Sequence, residues 1–115
     1  MPNVGSNTLE APVRELVEAS NTEDQERFLA AFAADATLTD FGRTFAGQGE
    51  IGSWSDAEHI GVRNQLAVTG VTRSEGGDVV TLSVFVSGGG FNGPGTFTLL
   101  LSDDRAWITH LKIAP

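Results

Sequence analysis

Asp40 ends the run Ala36-Thr37-Leu38-Thr39-Asp40, and in a strand it shares one face with Ala36 and Leu38. A carboxylate so placed either reaches solvent or an ion-pair partner at the strand end, or faces a pocket where burial equips it to move protons. Arg43 is the nearby cation, with Asp40 and Glu50 as its candidate partners. The other groups able to transfer a proton are His59 and His110. His110 either looks outward beside Lys112 or, if the last strand is reversed by a bulge, points inward as the acid partner of Asp40. His59 precedes Ile60-Gly61 at a helix exit, which predicts a solvent-exposed or capping role. Two isolated histidines offer no metal-ligand spacing, and the absence of cysteine removes thiolate nucleophiles, disulfides and Cys-bound metals. Neither a metal nor a cofactor is expected.

The elements that must position these groups are legible from periodicity. Leu9, Val13, Leu16 and Val17 fall on one helix face, with Pro12 near its first turn. Thr22 and Gln25 have the form of a capping box, which starts a second helix carrying Phe28, Leu29, Phe32 and Ala33 on one side. From Ala34 to Phe41 the period changes to two. Ile51 and Trp54 then suggest a short helix ending near Ser55. Gly47, Gly49 and Gly52 match a dinucleotide-binding spacing, but without the parallel strand-turn-helix unit or a following acid the match carries nothing.

Beyond Val62 the chain alternates as strands: Gln65 to Thr72, Asp78 to Ser87, Thr96 to Leu101 and Ala106 to Ile113, joined by short turn signals that favour antiparallel pairing. The Gly-rich stretch from Gly88 to Gly95 reads either as a mobile hairpin tip or as a flap with Phe91 at its crest. Phe32, Trp54, Phe85, Phe97 and Trp107 are candidates to line a hydrophobic pocket, although aromatics at these spacings also build ordinary core.

At 115 residues the chain has room for one domain and one core. A formal charge of -8 with only seven scattered basic residues repels phosphate backbones and anionic membranes, so a small neutral or cationic ligand, or another protein, is the expected partner. No apolar run is long enough to span a bilayer, and the first ten residues lack the pattern of a secretory signal, which predicts a cytoplasmic protein.

The order of elements, with AADATLTD at 33–40, GRTFAG at 42–47 and the Ile51-Gly52-Ser53-Trp54 helix, resembles the nuclear transport factor 2-like superfamily, which includes ketosteroid isomerase-like and SnoaL-like proteins. The polar start, rich in Gly, Pro, Ser and Asn, predicts a flexible tail over 1–8, and the resemblance implies one α+β domain over 9–115. In that domain a curved antiparallel sheet wraps as a cone around two to three N-terminal helices and leaves a pocket between them. It also implies a homodimer through the outer face of the sheet. Ketosteroid isomerases carry an alanine-threonine-valine-glutamate-aspartate run whose aspartate shuttles the proton, and ATLTD at 36–40 places Asp40 on it.

The chain departs from that pattern elsewhere. It has no tyrosine, and Thr96 to Leu101 contains no acid, so the isomerase's oxyanion donors are missing. An enolate without donors loses on the order of several kcal/mol of stabilisation, and steroid isomerisation by that route is not expected. The Arg and two Asp of the superfamily's epoxide hydrolases are not found either. SnoaL-like aldol cyclases use an acid and a base in the cone, for which Asp40 and His110 are the available pair. Two readings follow: proton-transfer catalysis on a small hydrophobic substrate (isomerisation, elimination or cyclisation) with Asp40 as base, or a non-catalytic ligand-binding or dimeric accessory protein.

Overall fold

A computed structural model describes residues 9–115, so the tail expected over 1–8 lies outside the described residues. The chain runs through α1 (Ala11–Asn21), α2 (Gln25–Ala30), β1 (Phe32–Asp40), β2 (Arg43–Ala46) and α3 (Gly47–Glu58). A 3-10 turn (Ile60–Val62) then leads into β3 (Gln65–Arg73), β4 (Val79–Ser87), β5 (Gly93–Leu101) and β6 (Ile108–Ala114). The six strands form one curved, unclosed sheet in the order β2-β1-β6-β5-β4-β3, with the three helices packed on its inner face. Among the described residues no helix is long and apolar enough to cross a membrane.

The pairing is antiparallel except between β1 and β6, which run parallel. The sheet is therefore mixed rather than wholly antiparallel. Strands β3 to β6 follow one another by short turns, and α3 with the 3-10 turn carries the chain from β2 at one edge to β3 at the other, so that β6 arrives beside β1.

Burial follows the alternation. Ala36, Leu38 and Asp40 of β1 face inward, as do Val80, Leu82, Val84 and Val86 of β4. Against them α1 sets Val13, Leu16 and Val17, α2 sets Phe28, and α3 sets Ile51 and Trp54.

Three local boundaries differ from the sequence reading. The N-cap of α2 is Asp24, whose carboxylate accepts the Arg27 amide at 3.1 Å, and Thr22 instead follows α1, bonding back to Glu18 O. The helix stops at Ala30, so Phe32 and Ala33 belong to the strand; the Ala31 carbonyl accepts the Ile108 amide of β6 and so serves the sheet. Helix α3 begins at Gly47 and continues past Ser55 to Glu58, its start closed by Glu50 accepting the Ala46 amide at 2.8 Å. That longer helix carries Trp54 and Glu58 to the same end of the cone.

A bulge settles the face of β6. Leu100 pairs with His110 and Leu101 with Ile108, which leaves Thr109 opposite no residue, its hydroxyl donating to Leu100 O at 3.1 Å. Ile108, Leu111 and Ile113 consequently all point into the core.

Candidate functional site

A cavity of about 410 Å³ opens at one end of the cone. Strand β1 supplies Asp40, the β1–β2 turn Phe41, β2 Arg43, helix α3 Trp54, Ala57 and Glu58, and the following turn His59 and Val62. The far wall comes from Val86, Phe97, Ile113 and the loop glycines with Phe91.

Asp40 is only 7% exposed. Its Oδ2 accepts from the Arg43 guanidinium at 2.6 Å and from the Trp54 indole N–H at 3.0 Å. Oδ1 makes no hydrogen bond. Because no buried side-chain nitrogen or oxygen among the described residues lacks a partner, Oδ1 must be open to solvent, and the space it meets is the cavity. One oxygen is thus fixed while the other keeps its lone pairs.

Arg43 also bridges to both oxygens of Glu58, at 2.8 and 2.6 Å, and its guanidinium lies 5.6 Å from the centre of the Phe45 ring. Its partner is therefore Asp40 together with Glu58, while Glu50 is occupied at the start of α3. The hydrogen bond from Arg43 holds the Glu58 carboxyl below the usual carboxylate range, and the arginine's own pKa is raised in return, by Glu58 first and Asp40 second.

His59 lies inside the protein, 3% exposed, and not at the surface as its position at a helix exit predicted. Its ring stacks on Trp54 with centroids 5.3 Å apart and planes 18° apart, and it meets Phe28 at 5.3 Å. Its Nε2 is 2.8 Å from Ser20 Oγ. That hydroxyl has one proton, which it gives to Leu16 O at 2.7 Å, so it accepts from Nε2–H. The tautomer so assigned leaves Nδ1 as an unprotonated acceptor, and by the same accounting Nδ1 is open to the cavity. Burial pushes the imidazole pKa down to about 4, so the ring is neutral at pH 7. A period-based reading missed His59 because its burial depends on Ser20, 39 residues earlier.

Of the aromatic candidates, Trp54 and Phe97 line the cavity. Phe32 packs on Phe28 in the core, with ring centroids 5.3 Å apart, and is not at the wall. Phe85 and Trp107 are 50% and 47% exposed and lie away from the cavity, Phe85 on the outer face of β4 and Trp107 just ahead of β6. His110 is on the outer face too, because the Thr109 bulge turns its neighbours inward; its Nδ1 meets Thr37 Oγ1 at 2.6 Å. The structure does not bring His110 to Asp40. The imidazole at the cavity is His59.

The Gly-rich loop is shorter and better held than its composition suggests, since β5 already begins at Gly93. The Gly89 amide donates to Val62 O at 2.8 Å and the Gly90 amide to Asn64 Oδ1 at 3.1 Å, while Asn92 bonds to Gly88 on both sides. A Cβ on Gly88 would lie 2.4 Å from Arg63 O, which is why the chain can approach so closely only without a side chain. Phe91 meets Phe41 across the cavity mouth, ring centroids 6.2 Å apart.

No protein-family model matches the chain, and no curated protein does either. Solved structures do. A proposed polyketide cyclase from Sinorhizobium meliloti superposes with a TM-score of 0.80 at 23% identity, over 96% of this chain and 99% of that one. A nuclear transport factor 2-like protein of unknown function from Cytophaga hutchinsonii gives 0.75 at 15% identity, over 96% and 88%. The chain has the nuclear transport factor 2-like fold. A third protein of this fold, from Catenulispora acidiphila, is described as ketosteroid isomerase-like and is in complex with trimethylamine; it gives 0.74 at 24% identity, over 91% and 85%. Within the nuclear transport factor 2-like fold, the present chain puts its carboxylate at the end of β1, where ATLTD placed it.

Proposed function

We propose that the protein takes a small, largely hydrophobic molecule into the cavity and holds its polar end against Asp40. The observation that carries this reading is the free Oδ1 of a buried carboxylate at the wall of an otherwise mostly apolar space of about 410 Å³, within the size range of small-molecule sites. That a Catenulispora acidiphila protein of the same fold is found with trimethylamine supports a small organic occupant. Uptake of a neutral hydrophobic dye such as Nile red, lost in Ala57→Trp where the new ring fills the space, tests it. Equal uptake by both proteins would place the dye elsewhere and remove the reading.

A second reading is catalytic. Oδ1 retains the lone pairs a general base needs, so Asp40 can take a proton from carbon or a hydroxyl of the bound molecule in an isomerisation, elimination or cyclisation. Against it, the Trp54 N–H and three of the five Arg43 N–H groups are already engaged with carboxylates, which leaves an oxyanion only Arg43 Nε–H and one Nη1–H. Asp40→Asn should abolish turnover of activated carbon acids with the fold intact; unchanged turnover removes the catalytic reading and leaves the binding one. The working form is proposed to be a cytoplasmic homodimer paired through the outer face of the sheet, with no nucleic-acid or membrane partner.

A further inference from the structure

Two acceptors at the cavity wall are free, while the half-exposed Arg43 keeps Nε–H and one Nη1–H beyond its bonds to Asp40 and Glu58. Asp40 Oδ1, a carboxylate oxygen, and His59 Nδ1, in the tautomer that Ser20 fixes, both accept hydrogen bonds. The lining residues that carry charge are Asp40, Glu58 and Arg43. Two carboxylates against one guanidinium leave the wall with one net negative charge. Around them stand the aromatic side chains of Phe41, Trp54, Phe91 and Phe97.

From these two free acceptors and the net negative charge beside them we infer that the cavity selects an amine: a primary or secondary ammonium on a compact hydrophobic body, whose N–H groups reach Asp40 Oδ1 and His59 Nδ1. The inference rests on the cavity being a binding site and says which chemistry it takes. An ammonium supplies the missing positive charge and at least two donors in one small group, so both acceptors are satisfied at once. Aromatic walls favour the same occupant, because a cation is attracted to ring faces and the hydrocarbon body to the rest. A carboxylate in that position would bring lone pairs against lone pairs and add to the negative charge. A ketone would leave both acceptors unpaired in a confined space, which costs affinity. A neutral alcohol can satisfy one acceptor but does not balance the charge.

His59 supplies the second acceptor beside Asp40, and its role depends on Ser20. If Ser20 did not hold Nε2–H, the imidazole could turn its N–H toward the cavity and present a donor instead. The Ser20 hydroxyl, anchored on Leu16 O, fixes the sense of recognition from outside the cavity.

The test is calorimetric titration of the whole protein at pH 7 with naphthylmethylamine, naphthylmethanol and naphthoate, which share one ring system. The amine should bind about tenfold or more tightly than the alcohol, and naphthoate should not bind measurably. Glu58→Gln, a change at a part-exposed side chain, removes one negative charge from the wall and should cut the amine-to-alcohol ratio severalfold. Asp40→Asn should bring that ratio close to one. If the alcohol binds as well as the amine, or naphthoate binds best, the amine inference is overturned while the cavity still stands as a binding site. If none of the three binds, and Ala57→Trp behaves identically, the binding reading falls with it.

Discussion

The Trp54 indole lies flat against the His59 imidazole, 5.3 Å between centroids and 18° between planes, while its N–H donates to Asp40 Oδ2 at 3.0 Å. One side chain of α3 therefore sets both the height of the imidazole and the rotation of the carboxylate. The free Oδ1 and the free Nδ1 are open to the same cavity because a single rigid ring separates their supports.

Trp54→Phe keeps a ring in the stack and deletes the donor. Arg43 still holds Oδ2, so the fold should survive with a loss of about 1–3 kcal/mol, the cost expected for removing one hydrogen bond to a buried charge. Urea unfolding with an unchanged slope and a lowered midpoint would show it. Unchanged stability would mean that the indole N–H contributes nothing to the carboxylate's position.

Stability should depend on pH in a window set by His59. Its folded pKa, about 4, is below its ordinary 6.5, so the unfolded chain binds the proton more readily. The contribution is complete above about pH 6.5 and is lost as pH falls toward the folded pKa, amounting to about 2 kcal/mol by about pH 5. The carboxylates with lowered values, Glu10, Glu15 and Glu58 from 4.5 and Asp104 from 3.8, depart downward and act in a more acid range. Urea midpoints measured between about pH 7 and about pH 5 should therefore fall in the native protein and stay flat in His59→Gln.

Arg43→Gln removes the cation that offsets Asp40 and Glu58. Amine affinity should rise by about threefold to tenfold, since a tenfold change corresponds to only about 1.4 kcal/mol. Because the arginine side chain is half exposed, the fold should lose little. Weaker amine binding in this variant would show that Arg43 is needed to orient the carboxylate.

Gly88→Ala places a Cβ 2.4 Å from Arg63 O at a φ of +139°, so the loop must leave the Val62–Asn64 turn. A loss of about 1–3 kcal/mol and faster amide exchange at Gly89 and Gly90 are expected. Phe91→Ala should spare stability and instead hasten ligand release, measured by stopped flow, because only the aromatic pair at the mouth is broken.

Pairing of two copies is tested on the outer face, where Phe85, Leu100 and Trp107 are exposed. Leu100→Glu should shift sedimentation from dimer to monomer at micromolar concentration without unfolding the chain. A monomeric native protein would remove this prediction.

Asp40 was legible because the alternation Ala36-Leu38-Asp40 is local and a strand's period is two. The helix-then-sheet order was legible for the same reason. His59 was not, because Ser20 and Phe28, which enclose it, come from other helices. The outward turn of His110 depended on where β6 bulges, and one unpaired Thr109 decides that without a sequence signal. The parallel neighbours β1 and β6 were hidden likewise, since turn residues announce hairpins and say nothing of strands 70 residues apart, as Thr37 and His110 nearly are with a separation of 73.

That parallel pairing bears on synthesis. As the chain emerges from the ribosome, β1 has only the four-residue β2 beside it until Ile108–Ala114 arrives to occupy its other edge. Ile113 and Ala114 are also part of the cavity wall. The nascent protein must therefore carry an unpaired strand edge on β1 from the making of Asp40 until β6 follows, and its cavity wall is incomplete until Ile113 and Ala114 are in place.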